Sequence, residues 1–176
     1  FELIDSTDVH AKFSLLYNEE TLAVYPYKFA FQVLYDLFGS ELRVSYKVIN
    51  YDDQTIYFSV GAHPAFNIPF FKSEVYEDYF LEFEHEEELK THLLSQNGFF
   101  TGGTRLIPVE GKNLPLTTEL FANDALVFKD LSSKGISIKS KNHNHCLSVK
   151  YPHFNYMGIW SKSGAPFVCI EPWLGC

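Results

Sequence analysis

The chain has 176 residues, long enough for one domain with a substantial core and too short to demand two. Its formal net charge of −8, with Glu82, Glu84, Glu86, Glu87 and Glu88 grouped together, repels phosphate backbones and argues against nucleic acid as a partner. Aromatic residues make up 17% of the chain and favour strands, while no apolar run approaches the ~20 residues of a membrane helix, so a soluble, mostly β protein with no membrane partner is expected.

From the N-terminus, Glu2 to Ile4, Ala11 to Tyr17 and Leu22 to Tyr25 read as short strands. From Lys28 the pattern has period two, with Phe29, Phe31, Val33, Tyr35 and Leu37 on one face and Lys28, Gln32 and Asp36 on the other. Gly39-Ser40-Glu41 turns the chain, and Leu42, Val44, Tyr46 and Val48 repeat the alternation, which predicts a hairpin. Asn50 to Asp53 supplies the next turn, and a third strand is expected over Thr55 to Val60. Asp78 to Phe83 reads as another strand. Gly98, Gly102, Gly103, Pro108, Gly111 and Pro115 predict a long, turn-rich connection, with "TGGT" at 101–104 only a turn and one helical turn near Thr117 to Phe121. Strands resume at Ala125 to Phe128, Ile136 to Ser140, Cys146 to Val149, Met157 to Trp160 and Phe167 to Ile170. Many short strands separated by frequent turns define an all-β sandwich or barrel in a single domain over residues 1–176.

His63 stands out in "SVGAHPAFNIPF" (59–70). Pro64 pushes it out of the helical region, and Gly61 and Ala62 leave space beside the backbone, so the imidazole is either a ligand-accessible group at a strand's end or simply the strand's last residue. Glu171 follows Phe167-Val168-Cys169-Ile170 and precedes Pro172 and Trp173. A carboxylate there is either a surface turn residue or a half-buried base whose pKa lies above the ~4.3 of free Glu. His and Glu are the right types for acid and base work, but so far apart in sequence they need the fold to join them.

Asn142-His143-Asn144-His145, next to Cys146, suggests a metal, but the two histidines lie i and i+2 in a polar loop, so a solvated hairpin tip and no metal are expected. His10, His85, His92 and His153 are isolated, and the glutamates from 84 to 88 read as a solvated face. Three cysteines without CxxC spacing suit reduced thiols and a cytoplasmic location. The chain begins at Phe1 and its only methionine is Met157, which reads as a piece of a longer protein.

Taken in order, "YPYKFAF" (25–31), "SVGAHPAFNIP" (59–69), "LFANDALVFKDL" (120–131), "YPHFNYMGIWSK" (151–162) and "FVCIEPWLG" (167–175) resemble the aldose 1-epimerase (galactose mutarotase) family, in particular its LacX-like bacterial branch, across essentially the whole chain. The resemblance implies an antiparallel β-supersandwich with a sugar in an open cleft, and interconversion of the α and β anomers of a hexose without cofactor. It implies His63 as general acid, Glu171 as general base and Asp124 as a binder of sugar hydroxyls. Trp173, Trp160 and Phe66 are candidate aromatic faces for the sugar, with core packing the alternative for Phe66 and Trp160.

The resemblance further implies a preceding segment with an arginine and a second histidine, and strands beyond Cys176, so the chain alone is not expected to be fully active. Two alternatives remain at this point: a noncatalytic carbohydrate-binding or sensing module on the same scaffold, and a hexose-6-phosphate 1-epimerase. Lys72, Arg105, Lys112 and Lys129 are scattered, which favours an unphosphorylated sugar.

Overall fold

The alternation between Phe29 and Val48 is realised as a hairpin of two ten-residue strands. In a computed structural model describing residues 1–176, the chain divides into two compact units, 1–58 and 59–176. The first is an antiparallel meander of β1 (Glu2–Ser6), β2 (His10–Leu16), β3 (Phe29–Phe38) and β4 (Glu41–Asn50) in the order β1-β2-β3-β4. Gly39, with φ 60°, turns β3 into β4, a conformation glycine adopts without a Cβ penalty.

Two expectations fail in this unit. Leu22 to Tyr25 belongs to the end of a short helix, α1 (Glu19–Val24), and not to a strand. The Asn18 side chain accepts a hydrogen bond from Thr21 N at 2.9 Å while Thr21 Oγ1 accepts one from Asn18 N at 2.8 Å. This reciprocal cap, with Glu19 and Glu20 at the positive end of the helix, outweighs the strand propensity of the residues after it. Residues 55–58 join no sheet, and Tyr57 and Phe58 are exposed.

The second unit contains β5 (Ala65–Asn67), β6 (Tyr79–Phe83), β7 (Lys90–Leu94), β8 (Phe100–Leu106), β9 (Asn113–Pro115), β10 (Leu126–Phe128), β11 (Gly135–Ser140), β12 (Cys146–Lys150), β13 (Tyr156–Trp160) and β14 (Phe167–Trp173). They form sheets ordered β10-β13-β14-β5 and β12-β11-β6-β9, with β7-β8 as a separate hairpin. The expected turn-rich connection therefore contains β7, β8 and β9, and "TGGT" lies inside β8. Alternation places Leu81, Phe83, Ile136 and Ile138 of one four-stranded sheet in the same core as Met157, Ile159, Val168 and Ile170 of the other, all at most 1% exposed. Each such side chain contributes about 1.5–3 kcal/mol on burial.

The acidic cluster is only partly a solvated face. Glu84 accepts from Lys134 N at 2.7 Å and Glu87 from Ser133 N at 2.6 Å, so both carboxylates satisfy backbone donors of the loop before β11. The β11–β12 hairpin tip is likewise not fully solvated. His143 is half-buried against Phe70 and Phe71, with its Nε2 3.2 Å from Glu74 and its Nδ1 accepting from His145 N at 3.1 Å, so both ring nitrogens already have partners.

Glu74 also accepts hydrogen bonds from Tyr79 and from Ser140, the latter at 2.7 Å. Burial raises its pKa, but the hydrogen bonds from Tyr79, Ser140 and Asn142, together with the His143 charge, outweigh burial and hold it at about 2. A depressed folded-state value gives stability that is present above the unfolded pKa and is lost as pH falls towards 2. In urea unfolding at successive pH values, Glu74→Gln is expected to flatten the loss of stability between pH 5 and 2. Equal slopes in the variant and the parent would contradict the linkage.

Candidate active site

Along β14, Phe167, Cys169, Glu171 and Trp173 share one face, while Val168 and Ile170 point into the core. On one side of β14, Trp160 pairs with Cys169, Gly158 with Glu171 and Tyr156 with Trp173. On the other, Asn67 pairs with Phe167 and Ala65 with Cys169, and a separate bridge joins Gly61 to Trp173. One register thus runs from Gly61 to Asn67 and sets His63 opposite Glu171. The hydrogen bonds on either side agree: Ala62 N donates to Pro172 O at 3.0 Å and Ile170 N to Pro64 O at 3.3 Å. Glu171 therefore lies within β14 and not at a strand's end, and His63 sits just before β5.

The two side chains meet, with His63 Nε2 3.3 Å from Glu171 Oε1. Their exposures differ: 61% for the His63 side chain and 6% for that of Glu171. Burial raises the Glu171 pKa above the ordinary carboxylate value, and the His63 charge opposes this without cancelling it. The result is a desolvated carboxylate facing a solvent-accessible imidazole.

Trp173 is positioned by glycines. A Cβ on Gly61 would lie 2.4 Å from its Cδ1, and one on Gly158 would lie 2.6 Å from its Cζ2, so the indole rests directly on two bare backbones. Beside it opens a cavity of about 330 Å³ lined by Ser59, Ala62, His63, Trp173, Gly175 and Cys176, among others, at the small end of the usual range for ligand pockets.

The other expected site residues lie on neighbouring parts of the same sheet. Phe66 pairs with Val168 and packs against the core, on the opposite face of the sheet from Glu171. Asp124 is exposed in the turn before β10, at the other edge of the sheet from β5, with φ 97° and its carboxylate accepting from Ala125 N at 2.7 Å. Two further side chains stand beside the pair. Trp160, a candidate for the sugar's apolar face with core packing as the alternative, stands edge-on to His63 with ring centroids 6.2 Å apart. Cys169, 1% exposed and not singled out by the sequence, lies next to both His63 and Glu171: the side-chain nitrogen, sulfur and oxygen atoms of the three are all within 4.8 Å of one another. Burial, followed by the Glu171 charge, pushes its thiol up to about 11. The signal for Cys169 was the alternation itself, since it precedes Glu171 by two residues.

The antiparallel sheets are those of an all-β protein with the galactose mutarotase-like fold. A galactose mutarotase-like protein from Lactobacillus casei superposes with a TM-score of 0.86 at 30% identity, over 98% of this chain and 60% of that one. A galactose mutarotase related enzyme from Lactobacillus acidophilus gives 0.88 at 31%, over 99% and 59%. The chain belongs to the aldose 1-epimerase family, whose model matches residues 1–175. It is 34% identical over 179 residues to the chromosomal protein LacX of Lactococcus lactis subsp. lactis, and it spans 60% of the length of that relative. No helix is long and apolar enough to cross a membrane.

Proposed function

We propose that the protein is an aldose 1-epimerase that interconverts the α and β anomers of a free hexose, with Glu171 as general base and His63 as general acid. The observation that carries this reading is the opposition of the two side chains at 3.3 Å beside an open cavity. Both reacting oxygens of a pyranose, O1 and the ring oxygen, are bonded to C1, so an acid and a base a few ångströms apart reach both. A bound sugar separates the direct His63–Glu171 contact and places one oxygen against each.

Glu171 takes the proton from the anomeric hydroxyl as the C1–ring oxygen bond breaks, and His63 protonates the departing ring oxygen, giving the open-chain aldehyde, a neutral carboxylic acid and a neutral imidazole. After rotation about C1–C2 the freed hydroxyl attacks the other face of C1. His63 removes its proton and Glu171 returns one to O1, which restores the starting states. The buried carboxylate suits the base, because its raised pKa makes it a stronger proton acceptor than an exposed carboxylate. Trp173 offers an apolar face for the sugar's C–H groups, held flat by Gly61 and Gly158.

An unphosphorylated sugar fits better than a sugar phosphate. No lysine or arginine lines the cavity, Lys112 is engaged by Glu82 at 3.5 Å, and Lys129 lies 3.7 Å from the centre of the Phe100 ring. Polarimetry of freshly dissolved α-glucose and α-galactose with the intact protein tests the proposal. Faster mutarotation than in buffer is expected; sugar binding without acceleration would replace the enzyme with a binding module, and neither would overturn both.

A further inference from the structure

We propose that His63, Cys169 and Glu171 form a binding site for a thiophilic divalent cation, Zn²⁺ in particular, which silences the acid/base pair when bound. The donors are one imidazole nitrogen, one sulfur and one carboxylate oxygen, a set that suits Zn²⁺ and disfavours the hard cations Mg²⁺ and Ca²⁺. Their ligand atoms already lie within 4.8 Å of one another. Bond lengths of about 2.0–2.3 Å in a tetrahedron bring donors to roughly 3.3–3.8 Å apart, so the site closes by a contraction of at most about 1.5 Å between any two donors.

The backbone needs no rearrangement, because Cys169 and Glu171 are alternate residues of β14 and His63 is held opposite Glu171 by the hydrogen bonds of Ala62 and Pro64. No lysine or arginine pairs with Glu171: His63 is its one ion-pair partner, and its side chain is 6% exposed. A divalent ion there neutralises a desolvated carboxylate, and the proton displaced from the Cys169 thiol leaves to solvent. Three protein ligands leave the fourth position to water, reached from the cavity past His63.

The metal site stands on geometry alone; only its inhibitory effect rests on the proposed epimerase function. Bound Zn²⁺ occupies His63 Nε2 and the Glu171 carboxylate, the two atoms that transfer protons to and from the sugar.

Co²⁺ reports thiolate ligation through a near-ultraviolet charge-transfer band, and Zn²⁺ displaces it. Titrating the intact protein with Co²⁺ is expected to give that band at one equivalent, unchanged in Cys146→Ser and Cys176→Ser and absent from Cys169→Ser. No band in the parent protein, or a band that survives in Cys169→Ser, overturns the site. If Cys169→Ser fails to fold by circular dichroism, Glu171→Gln decides: at least tenfold weaker Zn²⁺ binding is expected, and unchanged affinity overturns the proposal. Mutarotation inhibited by Zn²⁺ and restored by EDTA supports the inhibitory role, and unaltered mutarotation at saturating Zn²⁺ overturns it. A protein that binds the metal but never accelerates mutarotation contradicts the epimerase reading alone.

Discussion

Glu171→Gln is expected to slow catalysed anomer exchange by at least about 100-fold while raising the thermal midpoint at pH 7 by on the order of a few degrees. The first effect follows from removing the base while keeping its shape. The second follows from the raised pKa, in which burial outweighs the attraction of His63. A group whose folded-state pKa is raised gives stability that is fully present below its unfolded value and is lost as pH rises through the folded value. As pH rises the desolvated carboxylate loses that stability, and an uncharged amide avoids the loss.

The two proteins are accordingly expected to melt with similar midpoints near pH 4 and to separate as pH rises. The parent's catalytic rate is expected to fall on the acid side at a pH above that of an ordinary carboxylate. Melts at both pH values and a pH–rate profile check these statements. A lower midpoint for the variant at pH 7 would contradict the electrostatic reading of Glu171.

Gly158→Ala is expected to cost about 1–3 kcal/mol of stability and to weaken sugar binding. The added Cβ would lie 2.6 Å from Cζ2 and 2.8 Å from Cη2 of Trp173, and 3.3 Å from Cβ of Glu171. At its other end the indole already rests with Cδ1 on the Gly61 backbone. It must tilt away from its seat beside His63 or push the β13–β14 pair apart. Urea unfolding gives the stability loss, and the emission of the two tryptophans reports displacement of Trp173. Trp173→Phe in the same chain is expected to recover part of the lost stability, because the smaller ring relieves the clash. Unchanged stability and emission in Gly158→Ala would contradict the close packing.

How much of this was legible in the sequence depended on whether the signal was local. The period-two run from Phe29 to Val48 carries its own hairpin turn, and β3 and β4 follow it closely. Leu22 to Tyr25 was read as a strand because the cap at Asn18 and Thr21 lies upstream of the apolar residues it organises. The β7–β8 hairpin was hidden by Gly102 and Gly103, which break the apolar alternation where the ladder itself shifts register between His92 and Leu94. His63 and Glu171 were recognisable by residue type, but their meeting depends on a register between distant segments that no local pattern specifies. Parity still holds information about the site. Along 61, 63, 65 and 67 one face is shared, so Phe66 falls on the other, as its pairing with Val168 confirms. The same parity places Cys169 beside Glu171.

The central claim is that His63 and Glu171 act together on one anomeric centre, and a crystal structure of the intact protein soaked with a hexose tests it most directly. The account predicts the ring oxygen within hydrogen-bond distance of His63 Nε2, the anomeric hydroxyl against the Glu171 carboxylate and the sugar's C–H face over Trp173. A hexose bound elsewhere, or one whose anomeric carbon is turned away from both side chains, would contradict it.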